Sequence, residues 1–169
     1  MNIILTGFMA SGKTTVGKVL AKRIGCEFAD TDELIEKITK AQIKDIFAKY
    51  GEVYFRQLEA DIVKQVSSKD KCVIATGGGV PLNRDNIKEL RKNGVIVYLS
   101  PEFEIIQKRI KSASDTRPLM NSIEGTEKLF KERQKFYDEC DYKINITENM
   151  TQCDIADLII KYIEGIDMK

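Results

Sequence analysis

Short apolar runs alternate along the chain with longer stretches in which apolar positions recur every three or four residues. The runs "NIILT" (2–6), "EFAD" (27–30), "CVIAT" (72–76), "VIVYL" (95–99) and "YKINI" (142–146) read as β-strands. Most consist of Val, Ile or Leu with little alternation, the pattern of parallel strands buried on both faces. Helical periodicity follows Gly12, runs from about Glu33 to Lys40, and spans Ile43 to Val66 with a break near Gly51. It returns near 84–92, 102–111, 124–138 and 152–164. In the second half of the long helix Leu58, Ile62 and Val66 repeat at four-residue spacing, with Phe55 and Val63 beside them. Strand–helix–strand alternation predicts βαβ units with right-handed crossovers around a central parallel sheet, an α/β protein. One stretch, "IKSASDTRPLMNSIEG" (110–125), breaks the periodicity and carries Pro118 in its middle. It reads as a long loop between helices, the kind that serves as a lid or binding loop.

Composition narrows the functional classes. The 169 residues fit one domain and suffice to bury a core. Lys plus Arg is 27 against 26 for Asp plus Glu, so a net charge of +1 gives no reason to expect a nucleic-acid partner. The four cysteines, Cys26, Cys72, Cys140 and Cys153, lie too far apart for a zinc or disulfide framework and are expected to be small apolar fillers in a reducing cytosol. The chain opens directly on a strand-like run, so no leader is expected. No apolar stretch approaches the roughly 20 residues that span a bilayer. A cytoplasmic monomer is the expectation. Histidine is absent, which removes Ser-His, Cys-His and His-metal chemistry and leaves a carboxylate or a perturbed lysine as the only candidate base.

The first helix is preceded by "GFMASGKT", which fits G-x-x-x-x-G-K-[ST] through Gly7, Gly12, Lys13 and Thr14. Four fixed positions recur by chance in roughly half a percent of chains this long at ordinary residue frequencies. The motif also needs a strand before it and a helix after it, and both are predicted here. Glycines let successive N–H groups turn inward around a phosphate, and the helix N-terminus adds partial positive charge. Lys13 is placed to reach β- and γ-phosphates, and the Thr14 hydroxyl to ligate Mg²⁺. In "ADTDELIEK", Asp30 ends a strand and Asp32 starts a helix, either as its N-cap or as a group projecting toward the phosphate loop. Gly77, Gly78 and Gly79 follow the third strand and allow backbone to approach a ligand closely. Arg56 stands i,i+3 from Glu59, a spacing that also suits an ordinary surface ion pair. Arg117 lies in the irregular stretch, and Arg133 shares a helix face with Tyr137 at i,i+4.

Taken together, "GFMASGKTTVGKVLA", "FADTDELIE", "IKDIFAKYGEVYFRQLE", "ATGGGVPL", "VYL", "TRPLM" and "ERQKFY" resemble shikimate kinase in order and spacing, over nearly the whole chain. The resemblance implies a P-loop NTPase fold of the nucleoside monophosphate kinase-like kind, with a five-stranded parallel sheet flanked by helices on both faces. It implies one domain over 1–169, with a P-loop core, an acceptor-binding region near 32–60 and a lid near 111–123. The implied reaction is ATP-dependent phosphorylation of shikimate at its 3-hydroxyl, giving shikimate 3-phosphate and ADP, with Mg²⁺ as cofactor, in aromatic amino-acid biosynthesis. ATP is implied to contact Gly7, Ala10, Ser11, Gly12, Lys13, Thr14 and Thr15, with Arg109 beside adenine and Arg117 closing over the phosphates. Asp32 is implied to hold the acceptor hydroxyl as base, and Asp30 a Mg²⁺-bound water. Arg56 and Arg133 are implied to grip the shikimate carboxylate, with Gly77, Gly78 and Gly79 lining its pocket and Phe47 and Phe55 nearby. Lys13, Asp32 and Arg117 form the implied catalytic set. Two departures stand out. Ala10 occupies a position where the family often has glycine, which is acceptable if φ there is negative. The adenine loop near 147–151 ("TENMT") has no clear match.

Three other readings compete. A gluconate kinase explains the P-loop and an acid-binding arginine but accounts less well for "DTD", "GGG" and "FRQLE" together. A nucleoside monophosphate kinase calls for more arginines around the second phosphate. A nucleotide-binding module without catalysis has no need of Lys13, Thr14, Asp30, Asp32, Arg56, Arg117 and Arg133 all at once.

Overall fold

The structure is a computed structural model that describes residues 1–112 and 123–167. Five strands, β1 (Asn2–Thr6), β2 (Glu27–Asp30), β3 (Cys72–Ala75), β4 (Gly94–Pro101) and β5 (Tyr142–Ile146), form one parallel sheet in the order β2-β3-β1-β4-β5. The helices are α1 (Lys13–Ile24), α2 (Thr31–Thr39), α3 (Ile43–Ser67), α4 (Arg84–Arg91), α5 (Phe103–Ser112), α6 (Ile123–Tyr137) and α7 (Gln152–Asp167). A single 3-10 turn, Val80–Leu82, precedes α4.

Several boundaries differ from the periodicity. Helix α2 begins two residues early because Asp30 caps it, its side chain accepting from the amides of Asp32 and Glu33. Strand β3 ends at Ala75, where Thr76 turns toward the glycine loop while its amide and hydroxyl still donate to the Leu5 carbonyl. Strand β4 extends past both ends of its apolar run. The break in α3 falls at Gly51, whose φ of 79° and ψ of 176° are not helical.

Alternate residues of the buried strands feed two cores. Ile4, Ile74 and Ile96 face α3 and α4, packing with Phe55, Ile62, Val63, Val66, Ile87 and Leu90. Ile3, Leu5, Val73, Val97 and Leu99 face α1 and α7, packing with Val16, Leu20, Ile155 and Ile159. A third cluster, of Phe8, Tyr98, Ile106, Phe130 and Tyr137, joins the first loop to α5 and α6. The filler role expected of the cysteines holds for buried Cys72 and half-buried Cys26 and Cys140, but Cys153 is exposed. Among the described residues no helix is long and apolar enough to cross a membrane.

Asn2 shows how tightly the amino-terminal edge of the sheet is tied. Its fully buried side chain donates to the carbonyls of Lys69 at 2.7 Å and Ser67 at 3.4 Å, and accepts from the Cys72 amide at 3.0 Å. These bonds close the turn between α3 and β3 around the start of β1. Asn2→Ala strands the buried Cys72 amide and is expected to destabilise the fold by about 1–3 kcal/mol, read from the midpoint of denaturant unfolding. An unchanged midpoint would show that the turn holds without the side chain.

Candidate active site

Strand β1 and its neighbour β3 hand the chain to opposite faces of the sheet, to α1 and α4 respectively. Their carboxyl ends therefore bound a cleft, the place where open α/β sheets bind ligands. A cavity of about 760 Å³ occupies it. Its wall contains Ala10, Ser11, Gly12, Lys13, Thr14, Thr15, Asp30 and Asp32, together with Arg56, Gly77, Gly78, Gly79, Arg109 and Arg133. Every one of these was singled out in the sequence. Gly7 is not in the wall. Arg117 and the rest of 113–122, most of the expected lid, lie outside the described residues; 111–112 finish α5 and 123 starts α6.

On the P-loop side, Gly7 has φ 146°, and a Cβ there would lie 2.6 Å from the Leu99 carbonyl oxygen, so both the conformation and the packing demand glycine. The Lys13 ammonium turns back to the carbonyls of Gly7 at 2.9 Å and Phe8 at 2.8 Å. Thr14 donates its hydroxyl to Asp30 Oδ2 at 2.7 Å, while Asp30 Oδ1 caps α2. Asp30, not Asp32, is thus the helix cap. One carboxylate and one hydroxyl make an oxygen-only pair that fits Mg²⁺, a hard cation that binds through few protein ligands and keeps several waters. Among the described residues no group of three or more His, Cys, Asp or Glu is arranged to hold a metal by itself.

Ala10 does not meet the condition that would make alanine free of strain there. Its φ is +59°, in the left-handed region. The turn that aims the following amides inward forces this, and an L-residue held there costs about 1–2 kcal/mol. Arg109 Nη1 donates to the Ala10 carbonyl at 3.0 Å and so holds the strained residue from outside the loop.

Across the cleft, four charged side chains converge on the glycine loop. Gly77 is pinned by its amide donating to Thr31 Oγ1 at 2.8 Å. A Cβ at Gly77 would lie 2.4 Å from Asp32 Oδ1 and 3.3 Å from Glu59 Oε1, and one at Gly79 would lie 2.0 Å from Arg56 Nη1. Arg56 donates to Glu59 at 2.9 Å and to Glu52 through Nε at 3.2 Å and Nη2 at 3.1 Å. The ordinary surface ion pair that the spacing also allowed is excluded, because Glu59 is only 1 % exposed. Burial pushes the Glu59 carboxyl up; Arg56 opposes that, Asp32 adds to it and Arg133 opposes it. The sequence carried a signal for this, since Glu59 falls in the apolar stripe Phe55–Ile62–Val66, where a charge is out of place.

Arg133, on α6, is also buried, and its Nε finds no hydrogen-bond partner among the described residues. A buried guanidinium nitrogen beside a cavity marks a place for an anion. Tyr137, one turn on, donates to the Gly78 carbonyl at 2.7 Å. Its phenol is pushed up to about 12 by burial, against the opposing pull of Arg133. Sequence reasoning also missed Met150, Gln152 and Ile155, which share the cavity wall with Arg109. Met150 lies within the unmatched loop at 147–151 and Gln152 and Ile155 follow it, and only the packing of α7 against α1 brings that segment to the P-loop.

Restoring glycine at position 10 tests the strain. Ala10→Gly is expected to stabilise the fold by about 0.5–1 kcal/mol, relief of the left-handed conformation being partly offset by a freer unfolded chain. Urea unfolding measures it, and a destabilised variant would mean that the alanine methyl packs usefully in the loop.

Comparison with known proteins agrees with this geometry. The shikimate kinase family profile matches residues 9–164. The chain is 48% identical over 163 residues to the shikimate kinase of Thermoanaerobacter pseudethanolicus, covering 95% of this chain and 94% of that one. It is 43% identical over 168 residues to the shikimate kinase of Thermodesulfovibrio yellowstonii, covering 98% and 96%. Shikimate kinase from Acinetobacter baumannii, solved in complex with shikimate, superposes with a TM-score of 0.92 at 37% identity, covering 99% of this chain and 95% of that one. Sequence and fold agree, and the chain belongs to the shikimate kinase family.

Proposed function

We propose that the chain transfers the γ-phosphoryl group of ATP to the 3-hydroxyl of shikimate, with the P-loop side of the cleft as donor site and the glycine-loop side as acceptor site. The observation that carries this is the convergence of Asp32, Arg56, Glu59 and Arg133 on Gly77–Gly79, next to the Thr14–Asp30 pair. An acceptor bound there needs an anionic group for the arginines and a hydroxyl for the aspartate. Shikimate, a hydroxylated ring acid, has both.

Each residue then has a task. Arg56, oriented by Glu52 and Glu59, and Arg133 hold the carboxylate, which guanidinium groups bind in a fork. The rings of Phe47 and Phe55, 4.5 Å apart, supply an apolar wall near the acceptor. Asp32 orients the acceptor hydroxyl and accepts its proton late, as the oxygen bonds to the γ-phosphorus and the bond to the β-phosphate oxygen breaks. The transition state is loose, so most of the catalysis is positioning and charge neutralisation, and a chain without histidine is not handicapped. Lys13 leaves the carbonyls of its own loop for the β- and γ-phosphates, and Arg117 contributes positive charge from the segment that closes over them. Excluding water matters because water is a competing acceptor. Thr14 and, through a water, Asp30 would hold Mg²⁺, which would supply charge neutralisation on the phosphates. Residues 1–169 act as one domain, with the acceptor region about 32–60 and the lid about 111–123, in a monomer of the cytoplasm.

The deciding assay measures ADP release from Mg-ATP with shikimate, gluconate or nucleoside monophosphates as acceptor. Release is expected with shikimate, and its absence there overturns the reading. Asp32→Asn is expected to lower kcat by about 10²–10⁴-fold with an unchanged unfolding midpoint, since the cap of α2 is Asp30. Turnover close to wild type would remove Asp32 from the reaction.

A further inference from the structure

None of the roles above accounts for Tyr137. Its ring is 1 % exposed and packs on Tyr98 with centroids 5.2 Å apart. A buried phenol in an aromatic cluster normally turns its hydroxyl to whatever partner the cluster offers. This one leaves the cluster and donates to the Gly78 carbonyl at 2.7 Å. Arg133, four residues earlier and on the same face of α6, stands beside this hydroxyl, and its charge opposes the upward shift that burial gives the phenol.

Gly78 is where the acceptor loop meets the donor loop. A Cβ on it would lie 3.5 Å from the Met9 amide nitrogen, 3.6 Å from the Gly7 carbonyl oxygen and 3.8 Å from the Tyr137 hydroxyl. Its flanking glycines lie against Asp32 and Arg56. One hydroxyl, a turn of α6 away from Arg133, therefore holds the middle of the loop that separates the two substrates. Glycine backbone has little stiffness of its own, so an external tie sets where the loop rests.

We propose that Tyr137 is a positioning residue for the acceptor: its hydroxyl holds the Gly78 carbonyl and so fixes the glycine loop that lines the acceptor pocket relative to α6 and the P-loop. The proposal rests on the shikimate reading above. Without the hydroxyl, the Gly78 carbonyl loses a partner, and the glycine loop is free to shift against Asp32 and Arg56. The donor loop is held by its own bonds and is unaffected.

Tyr137→Phe keeps the ring and its packing on Tyr98. It is expected to raise the shikimate KM roughly tenfold, the scale of one lost buried hydrogen bond, while the Mg-ATP KM stays within about twofold. Tyr98→Phe removes the hydroxyl of the other ring of the pair and is expected to leave both KM values unchanged. An unchanged shikimate KM in Tyr137→Phe, or a parallel rise in both, overturns the proposal. Tyr137→4-aminophenylalanine keeps a donor in place and is expected to hold the shikimate KM near wild type whether or not the phenylalanine variant folds; a tenfold rise there also overturns it. If the wild-type chain releases no ADP with shikimate, the functional reading fails on its own. The tie is then read from the Gly78 carbonyl ¹³C shift, which is expected to move in Tyr137→Phe; an unmoved signal overturns the tie.

Discussion

Parallel neighbours in a sheet cannot be joined by a tight turn, so each strand must pass the chain to a crossover on one face or the other. In this fold β1 turns to α1 on one face and adjacent β3 turns to α4 on the other, and the cleft between their carboxyl ends is a consequence of that divergence. The loop after β1 cradles phosphate, and the loop after β3 carries three glycines. Asp30 and Asp32 arrive from β2, the neighbour of β3 on its outer side. The two substrates of a phosphoryl transfer thus meet along the line where two strands part, and the sheet, being buried on both faces, holds that line rigid.

Burying charge is costly unless each group has a partner. The donor side avoids the cost with short local bonds: Lys13 to its own loop carbonyls, and Thr14 to Asp30. The acceptor side is less complete. Glu59 is buried against Arg56, and the buried Arg133 keeps an Nε with no partner among the described residues. That imbalance has a chemical direction. A site with surplus buried guanidinium favours an anionic ligand over a neutral sugar, and the forked geometry of the guanidinium favours a carboxylate or a phosphate over a point charge.

Elements with strong local signals were legible in the sequence. Apolar strands and periodic helices located the sheet and cores to within two residues at nearly every boundary, and Lys13, Thr14, Asp30, Asp32, Arg56 and Arg133 all reached one cavity. The features that escaped depend on three-dimensional context. Spacing alone does not tell a surface ion pair from a buried one, and only the packing of the α3 stripe on the sheet puts Glu59 inside. The sign of φ at Ala10 is set by the turn as a whole and not by the alanine. Met150, Gln152 and Ile155 line the cavity only because α7 packs beside α1, a long-range contact with no local signature.

Helix α6 ties these pieces together. Phe130 packs edge-on against Phe8 of the P-loop, with ring centroids 5.3 Å apart. Arg133 reaches the acceptor pocket, and Tyr137 reaches the glycine loop. Positions 130, 133 and 137 share one helical face, so a displacement of α6 moves all three contacts in the same direction. Phe8 is fully buried and its carbonyl accepts from Lys13, so the aromatic contact bears on the residue that holds the P-loop lysine. Through that one face α6 joins the donor loop, the acceptor arginine and the dividing glycine loop.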